Sequence, residues 1–120
     1  MNIGVLGGGS WGTTVAHLLS RRYDVTLWAR NSDIADEINA HHTNDRYLSS
    51  ARLSPKLQAT DRLQDATRGQ SVLVMAIPAQ NFRAVLTDAA RYLEPLTPIV
   101  SLSKGLEFSS GARMTEIIQA

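Results

Sequence analysis

Apolar residues along this chain fall into two alternating rhythms. Ile3, Val5 and Leu6 form a short apolar run bounded by glycines, which predicts a strand. From Trp11 to Arg22 the apolar residues Trp11, Val15, Leu18 and Leu19 recur at helical spacing, and Arg21 and Arg22 sit in the last turn, where cations favour the helix dipole. Val25–Trp28 predicts a second strand. Strand, helix and strand together take about thirty residues, the size of a βαβ crossover.

The alternation continues. A helix is predicted from Ser32 or Asp33 to His41, with Ile34 and Ile38 on one face and Ser32 or Asp33 as its cap. His42–Pro55 is polar and irregular, which reads as a surface loop. Leu57–Thr60 predicts a short strand and Asp61–Thr67 a short helix capped by Asp61. Ser71–Ile77 is the strongest strand signal, apolar on both faces, as suits a central parallel strand covered by helices on both sides. Gln80–Leu93 predicts a helix with Phe82, Val85, Leu86, Ala89 and Leu93 on one face. After Pro95 and Pro98, Ile99–Ser103 predicts another strand and Ala112–Gln119 a further helix. The expected fold is α/β: a Rossmann-type, open, mostly parallel sheet of about five strands with helices on both faces, in one domain.

Composition narrows the functions available. At 120 residues and 43% hydrophobic the chain supports one globular core. Twelve basic against eleven acidic residues give a net charge of +1, with no electrostatic footprint for nucleic acid or an anionic membrane. There is no cysteine, which excludes thiol nucleophiles and Cys-based metal sites and accords with a cytoplasmic location. The longest aliphatic run, Val72–Ile77, is far below the roughly 20 residues of a membrane span. His41 and His42 are adjacent with no third ligand at a suggestive spacing, so no metal site is expected.

The chemistry concentrates in Gly7-x-Gly9-x-x-Gly12, which follows a strand and opens a helix. Gly7 permits the tight turn. Gly9, without a Cβ, lets a pyrophosphate approach the backbone, and Gly12 lets the helix pack closely on the strand. The amides from Ser10 to Thr13 then face the ligand at the positive end of the helix dipole. Past the second strand, where an acidic residue would bind a ribose 2′-hydroxyl, stand Ala29, Arg30 and Asn31. Arg30 suits a 2′-phosphate and can lay its guanidinium on adenine, so NADP is favoured over NAD, with Asp33 as the rival group at the ribose. A solvated arginine at a strand end is the plainer alternative. Lys104 follows the last predicted strand, where it could neutralise a substrate phosphate or polarise a carbonyl, or simply stand exposed. Trp11 could belong to the core or wall the cofactor cleft. Pro78 could shape the turn beside the cofactor or merely end the strand.

Gly7–Thr13, Leu27-Trp28-Ala29-Arg30, Asn44-x-x-Tyr47-Leu48, Ile77-Pro78-Ala79-Gln80 and Ser103-Lys104-Gly105-Leu106-Glu107 together resemble the N-terminal region of bacterial NAD(P)-dependent glycerol-3-phosphate dehydrogenases. The resemblance implies reversible hydride transfer between NAD(P)H and dihydroxyacetone phosphate, giving sn-glycerol 3-phosphate for phospholipid synthesis. It implies that Ser10, Trp11 and Arg30 contact the cofactor, and that Lys104 borders both cofactor and substrate phosphate. Tyr47 matches a motif position, and Ser49 stands where the family often has proline. The family's domain continues with further strands and then a mostly helical substrate domain carrying the catalytic lysine. Residues 1–120 are therefore expected to be a truncated dinucleotide-binding domain with no catalytic residue of its own, binding cofactor without turnover. A free sheet edge is compatible with a homo-oligomer. Two rival readings are the cofactor domain of a related 2-hydroxy-acid dehydrogenase and a non-catalytic nucleotide-binding module.

Overall fold

The computed structural model describes residues 1–102. Lys104 and the helix predicted over Ala112–Gln119 lie outside the described residues. Five strands form one sheet: β1 (Asn2–Leu6), β2 (Asp24–Trp28), β3 (Gln58–Thr60), β4 (Val72–Met75) and β5 (Ile99–Ser101). Four helices connect them in turn: α1 (Ser10–Ser20), α2 (Ser32–His41), α3 (Leu63–Thr67) and α4 (Ala79–Ala89). The spatial order is β3-β2-β1-β4-β5, and every pairing is parallel.

Strand alternation divides the core between two faces. Ile3 and Val5 of β1, Val25 and Leu27 of β2 and Val74 of β4 pack in one cluster with Ala16 of α1 and Ile34, Ala35 and Ile38 of α2. Leu6, Trp28, Leu73 and Met75 point the other way, into a cluster with Ala66 of α3 and Phe82, Val85 and Ala89 of α4. The apolar run of β4 is thus apolar because it feeds both clusters. Between Leu6 and Ile3, Gly4 lies under α3: a Cβ there would overlap the Ala66 carbonyl oxygen.

Several local expectations change. Helix α1 does not bury the face carrying Trp11 and Leu18, which are 69% and 54% exposed. Its buried residues are Gly12, Thr13, Ala16 and Ser20, with Val15 and Leu19 partly buried beside them. Small side chains let the helix backbone lie close on the sheet. Arg21 and Arg22 fall just past its last turn. Helix α2 is capped by Asn31, whose Oδ1 accepts from the Asp33 N–H at 2.8 Å, rather than by Ser32 or Asp33. Asp61 does not cap α3. That helix begins after Arg62 with no side-chain cap, and the Asp61 carbonyl instead accepts from Trp28 Nε1 at 3.1 Å. Helix α4 ends at Ala89, because the Arg91 and Tyr92 amides tighten onto carbonyls three residues back ahead of Pro95.

The segment 42–57 is not merely a polar surface loop. Leu53 and Leu57 are buried against α2, and Asn44 is fully buried. Its start is held by Glu37, whose carboxylate accepts from Thr43 Oγ1 at 2.6 Å and the Asp45 N–H at 2.9 Å. The Thr43 hydroxyl and then the Asp45 amide hold the Glu37 carboxyl below its usual 4.5, against a smaller opposing effect of burial. A depressed folded pKa contributes stability above pH 4.5 that is lost as pH falls through it. Glu37→Gln is therefore expected to lower the thermal midpoint at pH 7 but to flatten its fall on acidification below 4.5. Parallel pH profiles for the two proteins would contradict this.

Candidate functional site

Strand order reverses direction beside β1. The chain moves from β1 outward to β2 and β3, then crosses back to place β4 and β5 on the other side. At such a switch point the loops leaving adjacent strands diverge and open a crevice at their carboxyl ends. Here the two loops are Gly7–Gly9 after β1 and Ala76–Pro78 after β4. A cleft of about 860 Å³ opens between them. Its lining includes Gly7–Gly12, Trp28–Asn31, Ile34, Arg46, Tyr47, Ala76–Ala79, Asn81 and Leu102.

The three glycines of the motif differ in what they do. Gly7 has φ +129°, a conformation that side chains disfavour, and its N–H continues the sheet to the Trp28 carbonyl at 2.9 Å. A Cβ on Gly12 would overlap the Gly7 carbonyl oxygen, so this residue sets how closely α1 approaches the turn. A Cβ on Gly9 would meet nothing within 4 Å, so its backbone faces open space. Gly8, which the motif leaves unspecified, is also constrained, though less than Gly12: its Cβ would come within 2.7 Å of Ala29 Cβ.

Helix α1 starts at the centre of this cleft. Gly9 is its cap residue, no side chain caps the first turn, and no acidic residue lies in it. Its first amides are thus donors directed outward with the positive end of the helix dipole behind them. Trp11, an expected wall, lies exposed on the lining, and Ser10 stands beside it. Pro78 occupies the cap position of α4, three residues past the end of β4, and lines the opposite wall of the cleft.

At the end of β2, Arg30 is exposed on the lining with its guanidinium carbon 5.8 Å from the Trp28 ring centroid. The Trp28 ring is fixed by its bond to the Asp61 carbonyl, so it gives the arginine a rigid face to lie on. Asp33 gives its backbone N–H to the Asn31 cap of α2, and it is not among the lining residues. Tyr47 joins the lining, as its motif position suggests. Arg46 also joins it, although it is not one of the specified positions of any motif. The signal was its place inside Asn44-x-x-Tyr47, which carries both side chains on one turn. The described lining holds two guanidinium groups and no carboxylate or imidazole. Such a site favours an elongated anion with flat, apolar ends.

Known proteins match this arrangement along the whole chain. The family model described as the N-terminus of NAD-dependent glycerol-3-phosphate dehydrogenase covers residues 2–120. The chain belongs to this family. Glycerol-3-phosphate dehydrogenase (NAD(P)+) 2 of Sphingopyxis alaskensis is 47% identical over 119 residues, which is 99% of this chain and 36% of that protein. A glycerol-3-phosphate dehydrogenase (NAD(P)+) of Mycobacterium avium is 47% identical over 116 residues, 96% of this chain and 34% of that one. The crystal structure of glycerol-3-phosphate dehydrogenase from Coxiella burnetii superimposes with a TM-score of 0.88 at 32% identity, covering 98% of this chain and 36% of that one. The chain spans about a third of the length of the relatives it matches. Family membership agrees with the Rossmann-like sheet.

Proposed function

We propose that the cleft binds NAD(P) and that this domain serves the reversible reduction of dihydroxyacetone phosphate to sn-glycerol 3-phosphate. The observation that carries the reading is the uncapped first turn of α1, reached over a Gly9 backbone with open space where a Cβ would be. That opening fits a pyrophosphate, which would take the first-turn amides as donors. In this reading Gly7, Gly9 and Gly12 shape the phosphate turn. Ser10 and Trp11 border the bound cofactor, and Arg30 meets a 2′-phosphate or the adenine face, which favours NADP over NAD. Among 1–102, Arg30 is the cation placed at the strand end where an acid would select NAD.

The nicotinamide, when bound, supplies the hydride, and the protein supplies position. Leu102 lines the cleft just after β5, and Lys104 follows two residues on in the sequence. That proximity along the chain supports Lys104 as a contact of both cofactor and substrate phosphate. A substrate of this class is a small phosphorylated ketone, and the reading calls for no nucleic acid and no membrane insertion. Among the described residues no helix is long and apolar enough to cross a membrane.

The reading separates binding from turnover. No carboxylate or imidazole lines the described part of the cleft to protonate a developing alkoxide. A polypeptide of residues 1–120 is therefore expected to bind NADPH and to leave it unoxidised when dihydroxyacetone phosphate is added. The same domain in a protein of the relatives' full length is expected to oxidise NADPH with that substrate. Absorbance at the nicotinamide band reads both. Turnover by residues 1–120 alone would contradict the division of labour, and a full-length protein selective for another keto compound would overturn the substrate assignment.

A further inference from the structure

Asn44 lies fully buried in a segment that reads as solvent-facing loop. Its Nδ2 donates to the Gly8 carbonyl and to Thr13 Oγ1, both at 3.0 Å. Thr13 Oγ1 donates in turn to the same Gly8 carbonyl at 3.2 Å. The Gly8 oxygen is thus drawn inward by two donors, one from α1 and one from the 42–57 segment. The peptide joining Gly8 to Gly9 is trans, so its N–H points opposite to its C=O. Holding the Gly8 oxygen inward turns the Gly9 N–H outward, at the place where the glycine backbone opens.

The main chain of Asn44 acts on the other wall. Its carbonyl accepts from the Tyr47 and Leu48 amides at 3.2 and 2.8 Å, closing the turn that presents Arg46 and Tyr47 to the cleft. Its Oδ1 is buried without a hydrogen-bond partner among the described residues. An apolar side chain would fill the same space without that penalty, so bulk alone does not account for an amide here.

We propose that Asn44 is a positioning residue for dinucleotide binding. Its side chain orients the Gly8–Gly9 peptide toward the pyrophosphate, and its main chain links that turn to the wall carrying Arg46 and Tyr47. The inference rests on the cofactor reading given above. It adds a residue that touches no ligand and acts through the turn that does.

The test titrates residues 1–120 with two probes, NADPH and adenosine 2′-monophosphate, which carries the adenine end but no pyrophosphate. Asn44→Ala removes the amide. Asn44→Asp keeps its shape while replacing both donors with an acceptor facing the Gly8 carbonyl. Each variant is expected to weaken NADPH binding by about tenfold or more, the scale of one or two lost hydrogen bonds. Binding of adenosine 2′-monophosphate is expected to stay within about twofold, since its site at the end of β2 is untouched. Unchanged NADPH affinity in Asn44→Asp would overturn the inference. Parallel loss of both probes would also overturn it, since that marks a general structural role. Wild type binding neither probe would overturn the cofactor reading itself, and the inference with it.

Discussion

Replacing Gly12 by alanine is expected to destabilise the domain by about 3 kcal/mol, while the same change at Gly9 leaves stability within about 0.5 kcal/mol of wild type. The two positions differ in their neighbours. A Cβ at Gly12 overlaps the Gly7 carbonyl oxygen and approaches Ala76 Cβ at 3.2 Å. The obstacle is backbone, so no rotamer change relieves it, and α1 must lift from the turn. Against a typical total of 5–15 kcal/mol, such a loss is large. At Gly9 nothing lies within 4 Å and φ is −75°, which alanine adopts freely. The new methyl occupies the space a pyrophosphate needs, so NADPH affinity is expected to fall at least about tenfold. Thermal unfolding and NADPH titration of both variants separate the effects. Equal loss of stability at the two positions would contradict this division of roles.

Arg30→Ala is expected to weaken NADPH binding by roughly 10- to 100-fold and NADH binding by no more than about threefold. Charge-assisted hydrogen bonds of the kind a guanidinium makes with a phosphate contribute about 1.5–3 kcal/mol, which sets that range. Stacking on the Trp28 ring, 5.8 Å from centroid to guanidinium carbon, limits the positions the side chain must search before it meets the phosphate. Because Arg30 is exposed, the difference between the two cofactors is expected to shrink as ionic strength rises. Paired titrations of wild type and variant with NADPH and NADH check it. Equal weakening of both cofactors would mean that Arg30 contacts adenine but not a 2′-phosphate, and no change in either would make it an ordinary surface cation.

The glycine turn was legible because its demands are local. Gly7 needs an unusual backbone angle and Gly12 a missing Cβ, and the strand and helix around them announce the context. The parallel sheet and its central β4 were legible for a similar reason, since alternating strands and helices with a doubly apolar β4 leave few arrangements. What the sequence hid depends on distant partners. Asn44 looks like any loop asparagine until the fold brings it to Gly8 and Thr13, 36 and 31 positions away. Gly8 is pinned by Ala29 and Gly4 by Ala66, contacts that exist only once strands pair and helices dock. Helix α1 misled through Trp11 and Leu18, because close docking selects small residues for its buried face and leaves large apolar ones outside. Caps were misplaced by one or two positions because Asn31, Ser32 and Asp33 are all competent caps, and only the backbone angles choose among them.

The most direct measurement is amide NMR of residues 1–120 during a titration with NADPH. Saturable shifts are expected at Gly7–Thr13, at Arg30 and Asn31, and at Ala76, Ile77 and Ala79, the segments that meet at the β1–β4 switch point. The amides of α3, which lie away from the cleft lining, are expected to stay unchanged. Absence of saturable shifts, or shifts gathered elsewhere while the glycine turn stays silent, would contradict the dinucleotide site.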